Sequence, residues 1–413
     1  MRILFIVQIF ESLNDTGSDR HYFFAKKLVE KGYKVNVVTA NVDYKKAAKR
    51  FNSKFYFRKK IDGIDVTYVP VFTNFRGSFL KRIIFFLSFF ISSLIEIIRV
   101  KDIDIIYAVS TPLSNGFLGA IFSLLKRAPL FFEVTDVWPD AAIHTGVIKN
   151  KFIINLSKLI EKITYKKAKK IICLSEGIKN NILKKGISNS RLSLITNGID
   201  VSIFPKFSKI DIGLFKKKYD LGKEFLALYL GAHGIYNSLM TIMLAAKEIS
   251  HIKDIKFVII GDGDEKIKLQ EFAKYNKLKN IKFLGPLERT EAIKILSTAN
   301  IFLLPNRKGD FFRGNLPNKL FDYLASSKPI LVSGFGESSE LVLKANAGKV
   351  VEAEDHKDFS RKIINFFKDS KKSREQMGNN GKKFVEENYN RDLHIEILDN
   401  LFKENLEENL YLK

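Results

Sequence analysis

A cation and a carboxylate stand three residues apart within residues 315–337, which read NLPNKLFDYLASSKPILVSGFGE. Lys319 and Asp322 would share one face of a helix at this spacing. Pro317 suits the first turn of that helix, because a first-turn N–H has no partner inside the helix. An ammonium group can bind phosphate and a carboxylate can bind sugar hydroxyls, so the pair suits a phosphorylated sugar. The alternative is a solvated helix face with a scattered ion pair.

The elements around this stretch predict where such a ligand would bind. Residues 330–332 are apolar without alternation, which is typical of a parallel strand buried on both faces. In open parallel sheets, ligands bind beyond the carboxyl ends of the strands, where helix N-termini offer N–H groups to phosphate. Gly231 and Gly234 follow another apolar run, and glycine there lets the backbone approach a diphosphate.

Strand-like and helix-like segments alternate along the whole chain. The strand-like runs are residues 3–9, 35–39, 64–71, 103–109, 130–134, 171–174 and 192–196, then 225–230, 256–260, 281–284, 301–304, 330–333 and 349–351. This alternation predicts an α/β protein with a doubly wound parallel sheet in each half. The turn signal at 197–200 and Pro205 predict domains at 1–205 and 206–390, followed by a helical segment, 391–413, that could pack back on the first domain.

Length and cysteine content favour a two-domain protein of the cytoplasm. A chain of 413 residues can bury two cores. Cys173 is the single cysteine, so an intramolecular disulfide is excluded, and its apolar surroundings indicate a buried, inert thiol. The chain begins directly with a short strand and shows no signal peptide, so we expect a cytoplasmic location.

Charge is concentrated in the first half. Residues 1–200 hold 33 Lys and Arg against 16 Asp and Glu, a balance of +17 out of the net +24. Such an excess predicts an anionic partner surface, either membrane or nucleic acid, although a generally lysine-rich composition would also explain it. No aromatic and basic cluster suited to stacking bases is present, so we do not expect nucleic acid.

A long apolar helix is predicted at 80–100. Its uncharged run, 83–95, is shorter than the roughly 20 residues that span a bilayer. The flanking cations are Lys81, Arg82, Arg99 and Lys101. They favour an interfacial helix on the inner face of the cytoplasmic membrane. The alternative is a helix that covers the sheet of the first domain.

The order of motifs resembles the retaining GT-B glycosyltransferases of family 4 (GT4), and the resemblance covers nearly the whole chain. The stretches that carry it are TNGID at 196–200, IICLSEG at 171–177, FVIIGDGD at 257–264 and IKFLGP at 281–286. FFEVTDVWPD at 131–140 and residues 17–21 resemble bacterial enzymes of surface polysaccharide synthesis, of the O-antigen, capsule and colanic acid type. The resemblance implies two Rossmann-like domains that face a central cleft.

The resemblance also implies an activity. The enzyme would move a sugar, with retention, from a nucleotide-diphosphate sugar, with UDP favoured, to a hydroxyl of a polyprenyl-linked or other glycan. It implies no cofactor and no metal, because the leaving phosphate would deprotonate the acceptor and the protein would supply positioning and charge. A nucleotide-sugar epimerase or hydrolase on the same fold, and a non-catalytic basic binding protein, are the competing hypotheses.

The resemblance assigns donor residues in the second domain. They are Gly231, His233, Gly234, Gly261, Gly285, Arg307, Arg313, Pro317, Lys319 and Asp322. Asp322 takes the ribose-binding role of the second carboxylate of the family motif, and Gly314 stands where the first is expected. Many relatives carry a cation pair near Ala232 and Asn237, which this chain lacks, so Arg307, Arg313 and Lys319 are predicted to replace it. We expect loss of Asp322 to weaken donor binding without unfolding the chain.

The first domain would hold the acceptor. Glu133 and Asp136 are the candidate catalytic residues, because either could orient the acceptor hydroxyl or take its proton. Each could instead cap a helix or pair with a lysine. Thr135 stands where many relatives carry a histidine. The predicted acceptor-binding residues are Gly17, Ser18, Arg20 and His21.

Overall fold

A computed structural model describes residues 1–12, 15, 19–43, 47–75 and 79–411 of the chain, without the side chains of residues 79 and 406–411. Gly17 and Ser18 lie outside the described residues. The described chain divides into two compact units. Unit 1 comprises residues 1–12, 19–196 and 395–411, and unit 2 comprises residue 15 and residues 197–394.

Unit 1 is built on an eight-stranded sheet with the order β3-β4-β2-β1-β5-β6-β7-β8. Its strands are β1 (Arg2–Ile6), β2 (Lys34–Ala40), β3 (Phe57–Ile61), β4 (Ile64–Val69), β5 (Ile105–Val109), β6 (Leu130–Val134), β7 (Lys170–Cys173) and β8 (Leu192–Leu194). The edge strand β3 pairs antiparallel with β4, and the other pairs are parallel. The central strands β5 and β6 are buried along their whole length, as expected for a sheet covered on both faces.

Helices cover both faces of this sheet. They are α1 (Arg20–Glu30), α2 (Phe79–Arg99), α3 (Leu113–Leu125), α4 (Asp140–His144), α5 (Lys151–Lys167) and α6 (Glu176–Lys184). Leu4 and Ile6 point to a core shared with α2, α3 and α5, whereas Ile3 and Phe5 point to a core shared with α1. This alternation follows from the two-residue period of a strand.

Unit 2 contains a six-stranded, all-parallel sheet with the order β11-β10-β9-β12-β13-β14. Its strands are β9 (Phe225–Leu230), β10 (Ile255–Ile260), β11 (Ile281–Leu284), β12 (Ile301–Pro305), β13 (Ile330–Ser333) and β14 (Gly348–Val351). Its helices are α7 (Lys209–Lys218), α8 (Met240–Glu248), α9 (Lys266–Tyr275), α10 (Arg289–Leu296), α11 (Asn318–Ala325), α12 (Glu337–Lys344), α13 (His356–Lys368) and α14 (Lys371–Asn388). The strand order reverses between β9 and β12, which is the topological switch point of a doubly wound sheet.

The chain crosses between the units at residues 196–197 and again at 394–395, whereas the sequence predicted one boundary near residue 205. The second crossing lies within the last helix, α15 (Arg391–Tyr411). In unit 2, the turn at 197–200 contacts residues at the start of this helix and just before it. The N–H of Ile199 donates to the carbonyl of Tyr389 at 2.8 Å, and Arg391 Nε donates to the carbonyl of Gly198 at 3.0 Å.

Residues 395–405 of α15 belong to unit 1 and pack on the rest of it. Phe402 is fully buried, with its ring edge-on to Phe131 at 4.8 Å between centroids. Lys31 pairs with Glu396 at 2.7 Å, and the Tyr33 hydroxyl donates to Asp399 at 2.5 Å. This final segment therefore completes the core beneath α1.

Helix α2 has a buried face and an exposed face. Phe85, Phe89 and Ile97 are buried in the core that lies on the sheet. The helix therefore covers the sheet of unit 1, which was the alternative to an interfacial helix. Among the helices that the structure describes, none combines the length and apolar character needed to cross a bilayer.

We predict that Phe402→Ala lowers the free energy of unfolding of the chain by about 3–5 kcal/mol, because it leaves a cavity between α15 and the sheet. Urea unfolding followed by circular dichroism measures this change. Ile397→Ala on the same helix is the matched control, since Ile397 is exposed and its truncation opens no cavity. Equal stabilities of the two variants would show that α15 does not contribute to the core.

Candidate functional site

The ladder between β9 and β12 is short. The described pairs are Ala227 with Ile301 and Leu228 with Phe302, after which the two strands part. The hydroxyl of Tyr323, on α11, bonds the N–H of Leu230 at 2.8 Å and donates to the carbonyl of the same residue at 3.2 Å. A side chain thus satisfies backbone groups that a longer ladder would have paired. The result is an opening at the carboxyl end of the sheet, bordered by α11.

A glycine-rich loop, Gly231 to Gly234, leaves β9 at this opening. Gly231 and Gly261 have φ values of +153° and +136°, which favour glycine. A Cβ atom on Gly261 would collide with the carbonyl of Gly231, so this glycine lets the loops after β9 and β10 touch. Gly261 therefore has a packing role, and no described contact assigns it to a ligand. Nothing lies within 4 Å of a Cβ built on Gly234 or Gly285, so space remains beside both.

Lys319 lies directly over the start of this loop. Its Nζ donates to the Tyr229 hydroxyl at 2.6 Å and to Asn237 Oδ1 at 2.7 Å. Both partners also donate to the carbonyl of Ala232, at 2.7 and 2.9 Å. A Cβ on Gly231 would meet Nζ at 2.7 Å, so glycine at 231 is needed for the lysine to reach this place. An ammonium group has three donors, and the two bonds to Tyr229 and Asn237 leave the third for a ligand.

The ammonium group of Lys319 is also poorly solvated. The side chain keeps some solvent exposure, but the crowding of protein atoms around it desolvates the charge and lowers its pKa to about 7. An anion beside this nitrogen would stabilise the charged form. The lysine is therefore suited to binding an anionic group and to taking up a proton as it does so.

Arg307 follows β12 on the other side of the opening. Its N–H donates to the carbonyl of Tyr236 at 3.3 Å, which ties it to the glycine-rich loop, and its guanidinium lies 5.9 Å from the Phe312 ring centroid. Its Nη1 is buried and makes no hydrogen bond to any described residue. Because a buried donor without an acceptor is costly, a bound anion would relieve a real energetic deficit here.

The other predicted donor residues are placed less favourably. Arg313 is exposed and pairs with Asp310 at 3.2 Å, so its charge is already partly balanced. Pro317 immediately precedes α11 and sets its N-terminus, as its sequence position suggested.

His233 lies in the interior, at the contact between two loops. Its side chain is fully buried. Its main-chain N–H donates to the carbonyl of Asp262 at 2.8 Å, and its main-chain carbonyl accepts from the N–H of Glu265 at 3.0 Å. Burial lowers the pKa of the imidazole to about 4, so it is neutral at pH 7. The main chain of His233 therefore holds the loops after β9 and β10 together, and its buried ring nitrogens make no hydrogen bond to a described residue. Its contact with the donor stays a prediction.

Asp322 is in a buried ion pair. Arg289 Nη1 and Nη2 each donate to one carboxylate oxygen at 2.6 Å, and only 5% of Asp322 is exposed. This is the bidentate geometry in which arginine and carboxylate bind most strongly. The sequence predicted that loss of Asp322 weakens donor binding without unfolding the chain. The loss would also leave Arg289 buried without its counterion, so we expect it to destabilise the fold as well. The contact of Asp322 with ribose stays a prediction.

In unit 1, Glu133 is the centre of a second charged cluster. It lies in β6 with no exposed surface. Arg20 Nε and Nη2 approach it at 3.3 Å, His21 Nε2 lies 2.8 Å from Oε1, and the Tyr107 hydroxyl donates to Oε2. Burial alone would raise the pKa of Glu133, but the charges of Arg20 and His21 outweigh it and hold the pKa at about 2. The carboxylate is therefore ionised throughout the physiological range.

This arrangement corrects two predictions for unit 1. Glu133 cannot take a proton from an acceptor, because it is buried and its oxygens are occupied by three partners. Arg20 is 2% exposed and donates to the carbonyls of Thr196 at 2.5 Å and Ile195 at 2.8 Å, so it is a structural residue and does not contact an acceptor. His21 keeps 13% of its side chain exposed and is the member of the cluster that can reach a ligand.

Asp136 lies in the loop that follows β6. Its side chain is exposed, and no hydrogen bond to its carboxylate oxygens occurs within the described residues. The hydroxyls of Ser110 and Thr111 bond the neighbouring Thr135 at 3.2 and 2.8 Å and fix the loop. Desolvation by nearby protein atoms raises the pKa of Asp136. Of the two predicted catalytic carboxylates, Asp136 alone is accessible to an acceptor.

Two family models match consecutive parts of the chain. The model described as Glycosyltransferase Family 4 matches residues 22–203, and the model described as Glycosyl transferases group 1 matches residues 211–384. The chain belongs to the family 4 glycosyltransferases. The expected enzyme class is thereby confirmed.

Curated relatives of this glycosyltransferase are about a quarter identical to it over the aligned residues. An uncharacterized glycosyltransferase of Methanocaldococcus jannaschii is 25% identical over 295 residues, covering 70% of this chain and 72% of the relative. The capsular polysaccharide biosynthesis glycosyltransferase CapM of Staphylococcus aureus is 23% identical, covering 75% and 79%. The predicted likeness to surface-polysaccharide enzymes is confirmed at this level.

Solved structures confirm the predicted GT-B fold. Sucrose-phosphate synthase from Thermosynechococcus elongatus superposes with a TM-score of 0.77 at 14% identity, covering 98% of this chain and 99% of that one. Anabaena HepE, solved in complex with UDP and glucose, superposes with a TM-score of 0.73 at 14% identity, covering 97% and 99%.

Several residues that build the glycosyltransferase sites were missed from the sequence. Tyr229 and Tyr107 lie in apolar strands. A buried tyrosine hydroxyl needs a hydrogen-bond partner, so their position in these runs could have indicated a polar contact. Tyr323 gave a similar signal in the apolar stripe of α11. Arg289 and Asn237 carry no comparable local signal, because their partners are distant in sequence.

We predict that Asp322→Ala lowers the free energy of unfolding of the glycosyltransferase by about 3–5 kcal/mol, because one charge of a buried pair remains uncompensated. Urea unfolding measures the loss. Replacing both partners, as Arg289→Met with Asp322→Leu, should recover much of it. Asp310→Ala, which breaks the exposed pair with Arg313, is the matched control and should change stability little. Unchanged stability of Asp322→Ala would contradict the buried pair.

Proposed function

We propose that this glycosyltransferase transfers a sugar from a nucleotide-diphosphate sugar, bound in unit 2 where β9 and β12 part, to an acceptor hydroxyl, with retention of configuration. The observation that carries the proposal is the ammonium group of Lys319, held over Gly231 by Tyr229 and Asn237. A cation fixed at the switch point of a doubly wound sheet stands where such folds bind nucleotides.

The diphosphate would be neutralised from both sides of the opening. Lys319 offers its remaining N–H, and Arg307 offers a buried guanidinium nitrogen that has no partner among the described residues. Gly234 leaves space for phosphate oxygens to approach the loop, and Gly231 leaves room for Lys319 to lie over it. These two cations carry the compensating charge without requiring a bound metal ion. Anabaena HepE, which shares the fold, has been solved with UDP bound, and this supports a uridine nucleotide here as well.

The acceptor would be bound by unit 1. Asp136, accessible at the end of β6, can accept a hydrogen bond from the attacking hydroxyl, and His21 is held in place by Glu133. The bond from the anomeric carbon to the leaving phosphate oxygen breaks, and that oxygen takes the proton of the acceptor hydroxyl. The hydroxyl oxygen then bonds to the anomeric carbon on the same face. The protein contributes position and charge stabilisation.

The names of the relatives support a proposal for the acceptor class. CapM is a glycosyltransferase of capsular polysaccharide biosynthesis, and such polymers are assembled on carriers, so we propose a polyprenyl-linked glycan as the acceptor and a cytoplasmic site of synthesis. The proposal leaves the sugar to be identified by a panel of nucleotide sugars.

We predict that nucleotide-sugar affinity falls as pH rises. Lys319 has a pKa of about 7 in the free protein, and a bound diphosphate should raise that pKa. Affinity is then greatest below about pH 7 and falls by up to about tenfold per pH unit above it, until the pKa of the complex is reached. Calorimetry from about pH 6 to about pH 9, in buffers of different ionisation enthalpy, measures the affinity and counts the proton taken up.

Lys319→Met should remove both the proton uptake and most of the pH dependence. Lys268→Met, an exposed lysine of α9, is the matched control and should keep both. A wild-type affinity that does not vary with pH, or a Lys319→Met variant that binds as wild type does, would contradict the donor-site assignment.

We also predict transfer in the presence of EDTA, with the new bond in the same anomeric configuration as the donor bond. Product NMR from a donor and a polyprenyl-linked acceptor reports both. Free sugar or an epimer formed without acceptor would instead support the competing hydrolase or epimerase. A requirement for added Mg²⁺ or Mn²⁺ would overturn the neutralisation by Lys319 and Arg307.

A further inference from the structure

The outer face of α2 is a continuous apolar stripe. Its large exposed side chains are Leu80, Ile84, Leu87, Ile91, Ile95 and Ile98, each between 40% and 64% exposed. They recur every three or four residues, so they line one side of the helix. This side is opposite to the buried face on the sheet. Single exposed apolar residues are ordinary on a protein surface, but an aligned row of six is not.

A second stripe of the same kind runs along α5. Phe152, Leu156, Leu159 and Ile163 follow the same spacing and are between 40% and 75% exposed. The buried side of α5, with Thr164 and Tyr165, faces the sheet. Both long helices of this layer therefore direct large apolar side chains to the outside.

Helix α3 joins the two stripes into one surface. The rings of Phe90 on α2 and Phe117 on α3 stack at 6.2 Å, and Gly116 of α3 packs closely against Thr164 of α5. Lys126, after α3, donates to the carbonyls of Ile98 and Val100 at 2.9 Å and so fastens the ends of α2 and α3 together. The last residues of α3, Leu124 and Leu125, are 64% and 66% exposed. We call the exposed apolar residues of α2, α3 and α5 the outer apolar surface.

The exposed charges on these three helices have one sign. The acidic residues of the three helices are Glu96 and Glu161, which are 3% and 5% exposed. Glu96 bonds Arg58, and Glu161 pairs with Lys185. The exposed cations are Arg99, Arg127, Lys151, Lys158, Lys162 and Lys166. An occupant of the surface must therefore be apolar in its interior and anionic at its boundary.

We propose that the outer apolar surface is a membrane-docking face, which rests on an anionic bilayer with α2 and α5 in the plane of the headgroups. Amphipathic helices with cationic borders bind in this way, with apolar side chains among the acyl chains and lysines at the phosphates. Two helices of one layer, joined by α3, supply two such signals. This inference rests on unit 1 alone and does not depend on the nucleotide-sugar assignment.

The same charges argue against a second copy of the chain as the occupant. In a two-fold dimer the same patch meets itself, so the cations of α5 would face the cations of the partner. Like charges opposed at an interface are repulsive, whereas anionic lipid would neutralise them. The lipid is thus the occupant that satisfies both the apolar and the charged parts of the surface.

Co-sedimentation of the full chain with vesicles tests the proposal. We expect binding to phosphatidylglycerol and phosphatidylcholine mixtures at low salt, and weaker binding to phosphatidylcholine alone or at high salt. Leu87→Ser with Ile91→Ser on α2, and Leu156→Ser with Leu159→Ser on α5, should each reduce binding at least about tenfold. Leu214→Ser with Ile267→Ser, exposed residues of unit 2, is the matched control and should bind as wild type does.

Charge variants and a site-specific probe locate the contact. Lys158→Glu with Lys162→Glu should weaken binding, whereas Lys268→Glu with Lys274→Glu on α9 should not. Burial raises the pKa of Cys173 to about 12, so an environment-sensitive dye will label an introduced Leu156→Cys selectively. Its fluorescence should shift to the blue when vesicles are added, and the same dye at Ile267→Cys should not shift.

Three results would overturn the proposal. The first is wild-type protein that stays in the supernatant with anionic vesicles at low salt. The second is wild-type binding by the variant Leu156→Ser with Leu159→Ser, provided that its thermal midpoint shows it to be folded. The stripes of α2 and α5 would then not act together. The third is a wild-type dimer, detected by light scattering, that the serine variants convert to monomer without any vesicle binding, which would assign the surface to a second copy.

Discussion

The early parting of β9 and β12 is the constraint on which the proposed donor region depends. Two parallel strands that continued side by side would leave no room for a ligand between the loops that follow them. Tyr323 stabilises the separated strands, because its hydroxyl accepts a hydrogen bond from the N–H of Leu230 and its ring stacks on Phe302 at 4.3 Å between centroids. Lys319 lies on the same helix, one turn before Tyr323. The packing of Tyr323 therefore also fixes the part of α11 that carries the cation.

Charge is managed differently at the two candidate sites. In unit 1, the cluster of Glu133, Arg20 and His21 is compensated internally, and its stability does not require a ligand. In unit 2, Asp322 is compensated by Arg289, but Lys319 and Arg307 have no carboxylate partner among the described residues. The proposed donor region therefore carries positive charge without a carboxylate partner among the described residues. A diphosphate would neutralise it, and protein groups fixed before binding lose little entropy in doing so.

The sequence was sufficient for the parts of the structure that depend on local pattern. Apolar runs predicted the strands of both sheets except the edge strand β3, whose polar sequence FRKKI had been assigned to a loop. The glycines after β9 predicted a loop at the carboxyl end of the second sheet. It was insufficient where a long-range partner determines a role. Glu133 has the residue type and position of a base, but Arg20, His21 and Tyr107 come from two other elements and enclose it. Asp322 likewise appeared accessible on a helical face until Arg289, distant in sequence, was placed against it.

The missing first carboxylate of the family motif can be understood from this charge balance. A second carboxylate near residue 314 would stand close to the same opening and offset part of the charge of Lys319 and Arg307. With Gly314 there, and Asp322 neutralised by Arg289, the opening keeps two cations against no free carboxylate on α11. Relatives that carry a cation pair on the glycine loop can balance an extra carboxylate, whereas this chain has Ala232 and Asn237 in that region. The absence of the loop cations and the absence of the first carboxylate change the charge in opposite directions, and Lys319 and Arg307 are the cations that remain at the opening.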